Sequence, residues 1–384
     1  MKINSQQFAC YLHIPFCQEK CDYCDYYSLT DYEEYLTEYI SSLQREIELR
    51  ADKLDYQGEA ATIYLGGGTP SLLPPDHMEK LLQTIKLNFS FSAPFPEITL
   101  EINPGDLQNE SRLKSWQNIG INRFSLGVQS LNPGELEVLN RMHDEKQAIN
   151  ALEILHNQEV NYNIDLIYGS PRQTPASFFD SLKRVLQFSP AHISVYSLEL
   201  KAGTPLKAKV ETGKLQKMSE EEQVQIFSRL PKILRRSGFK NYEIANYAMP
   251  GYKCKHNLYY WKSLDYLGFG PGAQGLWRGK RRKNYCDLYQ YLDCLNSDEL
   301  PPGEVQELTM EEKISEFMIM GLRLKNGVSI KEFNSRFPAS IFSYFTDEIK
   351  SLKNESLLRQ KKDRIFLTQK GRQLGNYVFK HFII

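Results

Sequence analysis

The sequence predicts an α/β protein: six strand–helix units forming a parallel sheet, with a smaller, mainly helical region at the C-terminal end. Three observations predict it. Apolar, β-branched and aromatic runs recur at roughly 35-residue spacing, and amphipathic helical patterns lie between most of them. The runs end, one after another, in glycine or in polar residues. The composition, 384 residues with 41% apolar and 24% charged, is that of a globular chain with room for one large core or two moderate ones.

The elements follow in order. "FACYLHIPF", residues 8–16, is the first strand. "YEEYLTEYISSLQREIELRADKL", 32–54, carries apolar residues at helical spacing with charges between them. "ATIYLGGG", 61–68, pairs with the helix "PDHMEKLLQTIKLNF", 75–89, and "EITLEINP", 97–104, with "SRLKSWQNIG", 111–120. "INRFSLGVQS", 121–130, precedes one helix over 135–157, and "YNIDLIYG", 162–169, precedes "SFFDSLKRVLQF", 177–188. "HISVYSLEL", 192–200, is the sixth strand. Periodicity leaves two arrangements open, a partial barrel and a doubly wound sheet. The Pro-Pro-Gly in "NSDELPPGEVQE" marks a linker. Beyond it the order is two helices about a glycine-containing turn, a third helix, a hairpin and a last helix, which resembles a winged helix. The expected division is 1–240, a connecting segment 241–300, and 301–384.

The strand ends carry the chemistry. In barrels the C-terminal rim of the strands builds the site. Here the first strand runs into "CQEKCDYC", the second ends in "GGGTP", the third in "EINPG", the fourth in "GVQS" and the fifth in "DLIYGSP". Cys17, Cys21 and Cys24 form C-x3-C-x2-C. Three thiolates can hold three irons of a [4Fe–4S] cluster and leave the fourth open. A zinc site completed by His13 or Asp25 is the competing reading. The remaining cysteines, 10, 254, 286 and 294, lack metal-type spacing and read as buried thiols.

The cysteine spacing resembles that of the radical S-adenosylmethionine (SAM) enzymes. There the amino and carboxylate groups of SAM take the fourth iron, and an electron from the cluster cleaves SAM to a 5′-deoxyadenosyl radical. The other strand ends suit such a ligand. Gly66, Gly67 and Gly68 let backbone approach closely, and Thr69 offers a hydroxyl. Glu101 and Asp165 can accept from ribose hydroxyls or an ammonium group. Gln129 and Arg141 can bind a carboxylate. Within this superfamily the chain is similar to the oxygen-independent coproporphyrinogen III oxidase branch, and most to the HemW-type haem chaperones. The carriers are "YLHIPFCQEKCDYCDYYS", "YLGGGTPSLL", "LEINPG", "RFSLGVQS", "NIDLIYGSP" and the stretch 241–275. The resemblance implies a partial (β/α)6 TIM-like barrel. It implies that Tyr11, Gly67 and Glu101 line the cluster-bound SAM. Tyr23, Gly68, Thr69, Gln129, Arg141 and Asp165 match positions that contact a second SAM in the true oxidase.

Two departures separate the chain from that oxidase. Tyr26 stands where the oxidase carries a further cysteine, and the oxidase has a longer segment before its cysteines. "HNLYYW", 256–261, matches the H-N-x-x-Y-W signature that the resemblance associates with haem binding. Imidazole and thiolate are both haem-iron ligands, so His256 is the expected ligand and Cys254 a second. Tyr259, Tyr260 and Trp261 offer flat faces to a porphyrin. Gln274 stands where the family often has histidine. The expected activity is haem binding and delivery to acceptor haemoproteins, with radical decarboxylation of coproporphyrinogen III as the alternative enzyme activity and a zinc-stabilised binding module as a third reading. The resemblance further implies a reductant protein such as a flavodoxin or ferredoxin.

Charge and hydropathy limit the remaining classes. Lysine plus arginine equals aspartate plus glutamate, 47 each, so net charge points to neither nucleic acid nor membrane. Residues 331–384 carry about 11 basic against about 5 acidic residues, yet a winged helix does not by itself imply DNA binding. No nucleic-acid partner is expected. No run reaches the roughly 18 apolar residues of a membrane helix, and "MKINSQQFACYLHIP" has no signal-peptide core. The expected location is the cytoplasm, with peripheral docking on a membrane left open. His77, His143, His156, His192 and His381 are read as surface or helix histidines without function.

Overall fold

The structure, a computed structural model, describes residues 7–53, 58–93 and 96–384. Residues 1–6, and Leu54 at the end of the first expected helix, lie outside the described residues. Two compact units emerge, one of 1–223 with 265–306 and one of 224–264 with 307–384.

In the first unit six strands run in chain order: β1 (Gln7–Ile14), β2 (Glu59–Gly67), β3 (Glu97–Ile102), β4 (Arg123–Gln129), β5 (Tyr162–Tyr168) and β6 (His192–Ser197). Each pairs with the next in parallel. A doubly wound sheet reverses its strand order at a switch point. This sheet does not, so the arrangement is the open, partial (β/α)6 barrel. The helices that return the chain are α1 (Leu36–Lys53), α2 (Pro75–Asn88), α3 (Glu110–Asn118), α4 (Pro133–Val138), α5 (Glu145–Asn157) and α6 (Pro175–Val185).

Side chains alternate across a strand, and here the two faces differ in chemistry. Leu12, Leu65, Leu100, Leu126, Ile164 and Ile193 are buried, as are the apolar faces of the helices, such as Leu43, Leu82, Trp116 and Leu152. The opposite phase carries Tyr11, Tyr64, Glu101, Ser125, Asn163 and His192. Register aligns Tyr11 with Tyr64, Glu101 with Ser125, Ser125 with Asn163, and Asn163 with His192. The barrel interior is therefore lined by polar groups, which bond to one another.

The structure differs from expectation in two places here. The single helix read over 135–157 is broken between α4 and α5. Asn140 takes a left-handed φ of 51°. Asp144 then restarts the helix through a capping box with Gln147, which fixes a new N-terminus. The break is what frees Arg141 from a helix surface. Second, the segment expected as a connector divides at 264/265. Its later part adds β7 (Tyr266–Phe269), β8 (Gln274–Trp277) and β9 (Lys280–Asn284) to the sheet. β7 lies parallel to β1, with Ala9 opposite Tyr266, and β8 and β9 follow antiparallel.

In the second unit Phe317, Met318, Phe333, Phe345, Ile349 and Phe382 form a buried core. Helices Met310–Arg323, Ile330–Arg336 and Ile341–Asn354 surround it, with a three-stranded sheet of Val328–Ser329, Arg364–Leu367 and Leu358–Lys361 in that order. This is the helix, strand, helix, helix, hairpin order of a winged helix. Helix Lys255–Trp261, which carries the H-N-x-x-Y-W residues, belongs to this unit, and Arg323 stacks 4.6 Å from the Trp261 ring centre. Among the described residues no helix is long and apolar enough to cross a membrane.

Candidate functional site

β1 ends at Ile14, and the cysteine loop hangs from that end by backbone bonds. The Cys17 N–H donates to Leu29 O (3.0 Å) and the Leu29 N–H to Pro15 O (2.6 Å). The Phe16 ring stacks on Tyr32, centres 5.0 Å apart. The end of β2 clamps the loop from the other side, through Gly68 N–H to Ile14 O (2.8 Å) and Thr69 N–H to Phe16 O (2.7 Å).

The glycines are required here. Gly67 has a φ of +115°, and a Cβ on it would lie 2.6 Å from the His13 ring. A Cβ on Gly68 would lie 2.6 Å from Phe16 O and 3.0 Å from Cys17 Sγ. His13 supports the loop from beneath. Its Nε2–H donates to Tyr27 O (2.9 Å), so Nδ1 accepts from Tyr11 OH (3.1 Å). Burial lowers the His13 pKa to about 4, so the ring is neutral and holds that tautomer. His13 thus shapes the loop.

Cys17, Cys21 and Cys24 open into one cavity of about 480 Å³. Every residue expected to bind SAM lines it except Tyr11. Tyr11 sits beside it, tilted against Tyr64 with ring centres 6.2 Å apart. Thr69 Oγ1 lies 3.6 Å from Cys17 Sγ and accepts from Asn103 Nδ2 (3.1 Å). Arg141, presented by the α4–α5 break, points Nη1 at Cys21 Sγ (3.3 Å) and donates from Nη2 to Asn103 Oδ1 (2.6 Å) and Gly127 O (2.9 Å). Its guanidinium fork thus engages the cysteine loop and the strand ends. Tyr26 also lines the cavity and is largely exposed.

Two carboxyls face the cavity, Glu101 from β3 and Asp165 from β5, with β4 between them. Glu101 Oε1 accepts from Tyr64 OH (2.8 Å) and Oε2 from the Gly67 N–H (3.3 Å). Burial pushes its pKa up to about 7, opposed by the Tyr64 bond and reinforced by the charge on Asp165. Burial also raises Asp165, against the donors Asn163 and Ser125. Alternation would have found Tyr64 and Ser125, each two residues before an expected site residue or strand-end glycine. Tyr196 and Lys201, which also line the cavity, carry no comparable motif.

These residues fit a cluster and SAM. Gln129 closes β4 at a left-handed φ of 63°, and its buried Oε1 has no partner in the protein, so it is available to a ligand donor. The unbranched Gly67–Gly68 backbone leaves space beside Cys17. Burial raises the Cys17 and Cys24 thiols, so iron would displace their protons.

The haem motif presents a different picture. His256 is 1% exposed, and its Nε2 lies 2.8 Å from Tyr260 OH. Cys254 is fully buried. Gln274 is exposed at the start of β8, opposite Lys283.

Comparison with known proteins places these features. Residues 11–185 match the Radical SAM superfamily and residues 308–374 the HemN C-terminal domain. A protein of Lactococcus lactis named Heme chaperone HemW is 35% identical, the match covering 98% of this chain and 97% of the relative. Its namesake in Bacillus subtilis is 33% identical over 98% and 99%. The solved structure of coproporphyrinogen III oxidase (HemN) from Escherichia coli, a radical SAM enzyme, superposes with a TM-score of 0.84 at 25% identity, covering 99% of this chain and 90% of that one.

Proposed function

The chain belongs to the HemW family of the radical SAM superfamily, and from that membership we propose that it binds haem and delivers it to acceptor haemoproteins. The carrying observation is likeness along the whole chain to relatives named haem chaperones. The cysteine triad and the H-N-x-x-Y-W stretch are both present in this sequence. Cys17, Cys21 and Cys24 would hold a [4Fe–4S] cluster, with SAM in the same cavity. Bound there, the cluster supplies the electron for reductive cleavage of SAM. A small reductant protein such as a flavodoxin or ferredoxin would recharge it.

The chain's own residues have distinct tasks. Arg141 donates toward Cys21 Sγ and to the Asn103 and Gly127 oxygens, so it ties the cysteine loop to the strand ends. Glu101 and Asp165 would bind SAM through carboxyl oxygens that can accept from ribose hydroxyls or an ammonium group. Tyr26, in the position of the oxidase's further cysteine, weighs against coproporphyrinogen decarboxylation. His256 is the proposed haem ligand. Its Nε2 bond to Tyr260 must open for iron to reach that nitrogen, so haem binding would be accompanied by rearrangement of helix Lys255–Trp261.

One anaerobic titration tests the proposal. The reconstituted protein is titrated with haem and followed at the Soret band, with coproporphyrinogen III turnover assayed on the same sample. Stoichiometric haem binding without protoporphyrinogen is expected, weakened by His256→Ala. Turnover without haem binding would overturn the chaperone reading.

A further inference from the structure

Beneath Asp165 lies a closed ring of hydrogen bonds that the proposed cofactor chemistry does not itself require. Asn163 is 2% exposed and His192 is fully buried. The two stand opposite each other on β5 and β6. His192 Nδ1 lies 2.6 Å from Asn163 Oδ1, and Ser194 Oγ, 3.0 Å from the same oxygen, also bonds the Asp165 carboxyl. Asn163 Nδ2 donates to Asp165 Oδ1 (2.9 Å) and to Ser125 Oγ (2.7 Å). Ser125 Oγ in turn donates to Asp165 Oδ2 (2.9 Å).

The directions of the His192 and Asn163 bonds follow from their chemistry. Burial holds His192 far below its usual range, so its ring is neutral, and Nδ1 carries the proton because an amide oxygen only accepts. The Asn163 amide then has both hydrogens committed and its oxygen taken by the His192 N–H. Turning it over would set its oxygen against the Asp165 carboxylate and its hydrogens against the His192 N–H. Every donor in the ring therefore points toward Asp165, whose carboxyl lines the SAM cavity.

We infer that Asn163 and His192 are positioning residues that hold Asp165 as an oriented, acceptor-only carboxylate, so that this wall of the cavity selects ligand groups that donate, a ribose diol or an ammonium. The inference rests on the proposed SAM site. Without the ring, Asp165 would be a buried carboxyl that protonates readily and then offers a donor in place of an acceptor. The charged groups that act on Asp165 besides the ring are Glu101 on β3 and Arg123 on β4.

The test uses the cluster-reconstituted full chain and SAM as the probe, by anaerobic equilibrium dialysis across a pH series. Asn163→Ala should weaken SAM binding about tenfold at neutral pH, as loss of hydrogen bonds to a charged group does. It should also move the acid limb of the affinity profile to higher pH, with the iron–sulfur absorbance unchanged. Glu101 titrates in contact with the Asp165 charge, so the comparison is run in a Glu101→Gln background, where the difference between profiles reports Asp165. Ser125→Ala, a smaller change, should shift the limb in the same direction. His192→Gln, which restores an N–H toward Asn163, should bind better than His192→Leu. Wild-type affinity and profile in Asn163→Ala and Ser125→Ala, with binding still lost in Asp165→Ala, would overturn the positioning role alone. Unchanged binding in Asp165→Ala would overturn the placement of SAM against this wall, and the inference with it.

Discussion

At Gly67 the backbone and the site compete for the same space. Its φ of +115° is a region that side chains rarely adopt, and the missing Cβ is where the His13 ring lies. Gly67→Ala should cost about 2 kcal/mol or more from backbone strain and crowding together. Urea unfolding would show it, and iron bound per chain should fall in parallel. The double variant with His13→Ala should recover the crowding part and keep the strain. Glu101 makes a pH prediction. Its folded pKa of about 7 lies above the ordinary 4.5. Its contribution to stability is thus fully present below the ordinary value and is lost as pH rises through about 7. SAM binding should run the other way, rising as the acceptor carboxylate forms across that window. Glu101→Gln should flatten both profiles, and a binding profile unaltered by that change would remove Glu101 from the ligand. Residues of this kind were legible in the sequence because strand ends announce themselves. Cys17 follows β1, Gly67 ends β2 and Glu101 stands next to the end of β3, while Asp165, in the middle of β5, was found through the polar run that ends its strand. His192 was misread as an ordinary surface or helix histidine because nothing adjacent in sequence marks it. Its partners lie on other strands.

Among elements, the join between α1 and β7 carries a buried charge pair. Glu46 is fully buried and pairs with Arg50 at 2.7 Å. It also accepts from the Gly270 N–H (2.7 Å), Asn284 Nδ2 (2.8 Å) and Tyr291 OH (2.8 Å), while Arg50 donates to Gly268 O (2.9 Å). Removing one partner of such a pair leaves an uncompensated buried charge. Glu46→Ala should destabilise the protein by about 3–5 kcal/mol in denaturant unfolding, whereas Glu46→Gln should cost less because the amide keeps an acceptor. A loss below about 1 kcal/mol for Glu46→Ala would mean that the join is held by packing alone. None of this was visible from sequence. β7 has only four residues and pairs with β1 at a separation of more than 250 positions (Ala9 to Tyr266), a distance no local pattern reports. The six chain-ordered strands were visible because each is followed by its own amphipathic return helix. The helix break at 139–144 was not, because its apolar spacing continues across the Asn140 turn, and only the Asp144–Gln147 box betrays the new start.

Across the whole molecule, the winged-helix order was readable from the segment sequence after residue 307, but not that 224–264 joins the same unit. A linear boundary cannot express a unit built from two separated stretches. The core arrangement also bears on what the cysteines do for the fold. The apolar packing of the first unit lies between the sheet and its helices, through residues such as Leu65, Leu100, Ile164 and Trp116. Cys21 and Cys24 are partly exposed, and their loop is held by backbone bonds to the ends of β1 and β2. A small zinc module is different, since its metal replaces a core and its removal unfolds the chain. Stripping iron anaerobically with a chelator should therefore abolish SAM binding and leave the far-UV circular dichroism unchanged. The unfolding midpoint should fall only by the linkage expected for losing a ligand of the folded state. Restoring iron and sulfide should restore SAM binding without a refolding step. Collapse of the spectrum on chelation would instead make the triad a structural site, and it would leave the polar barrel interior, from Tyr64 across to His192, without the cofactor its strand ends are built to face.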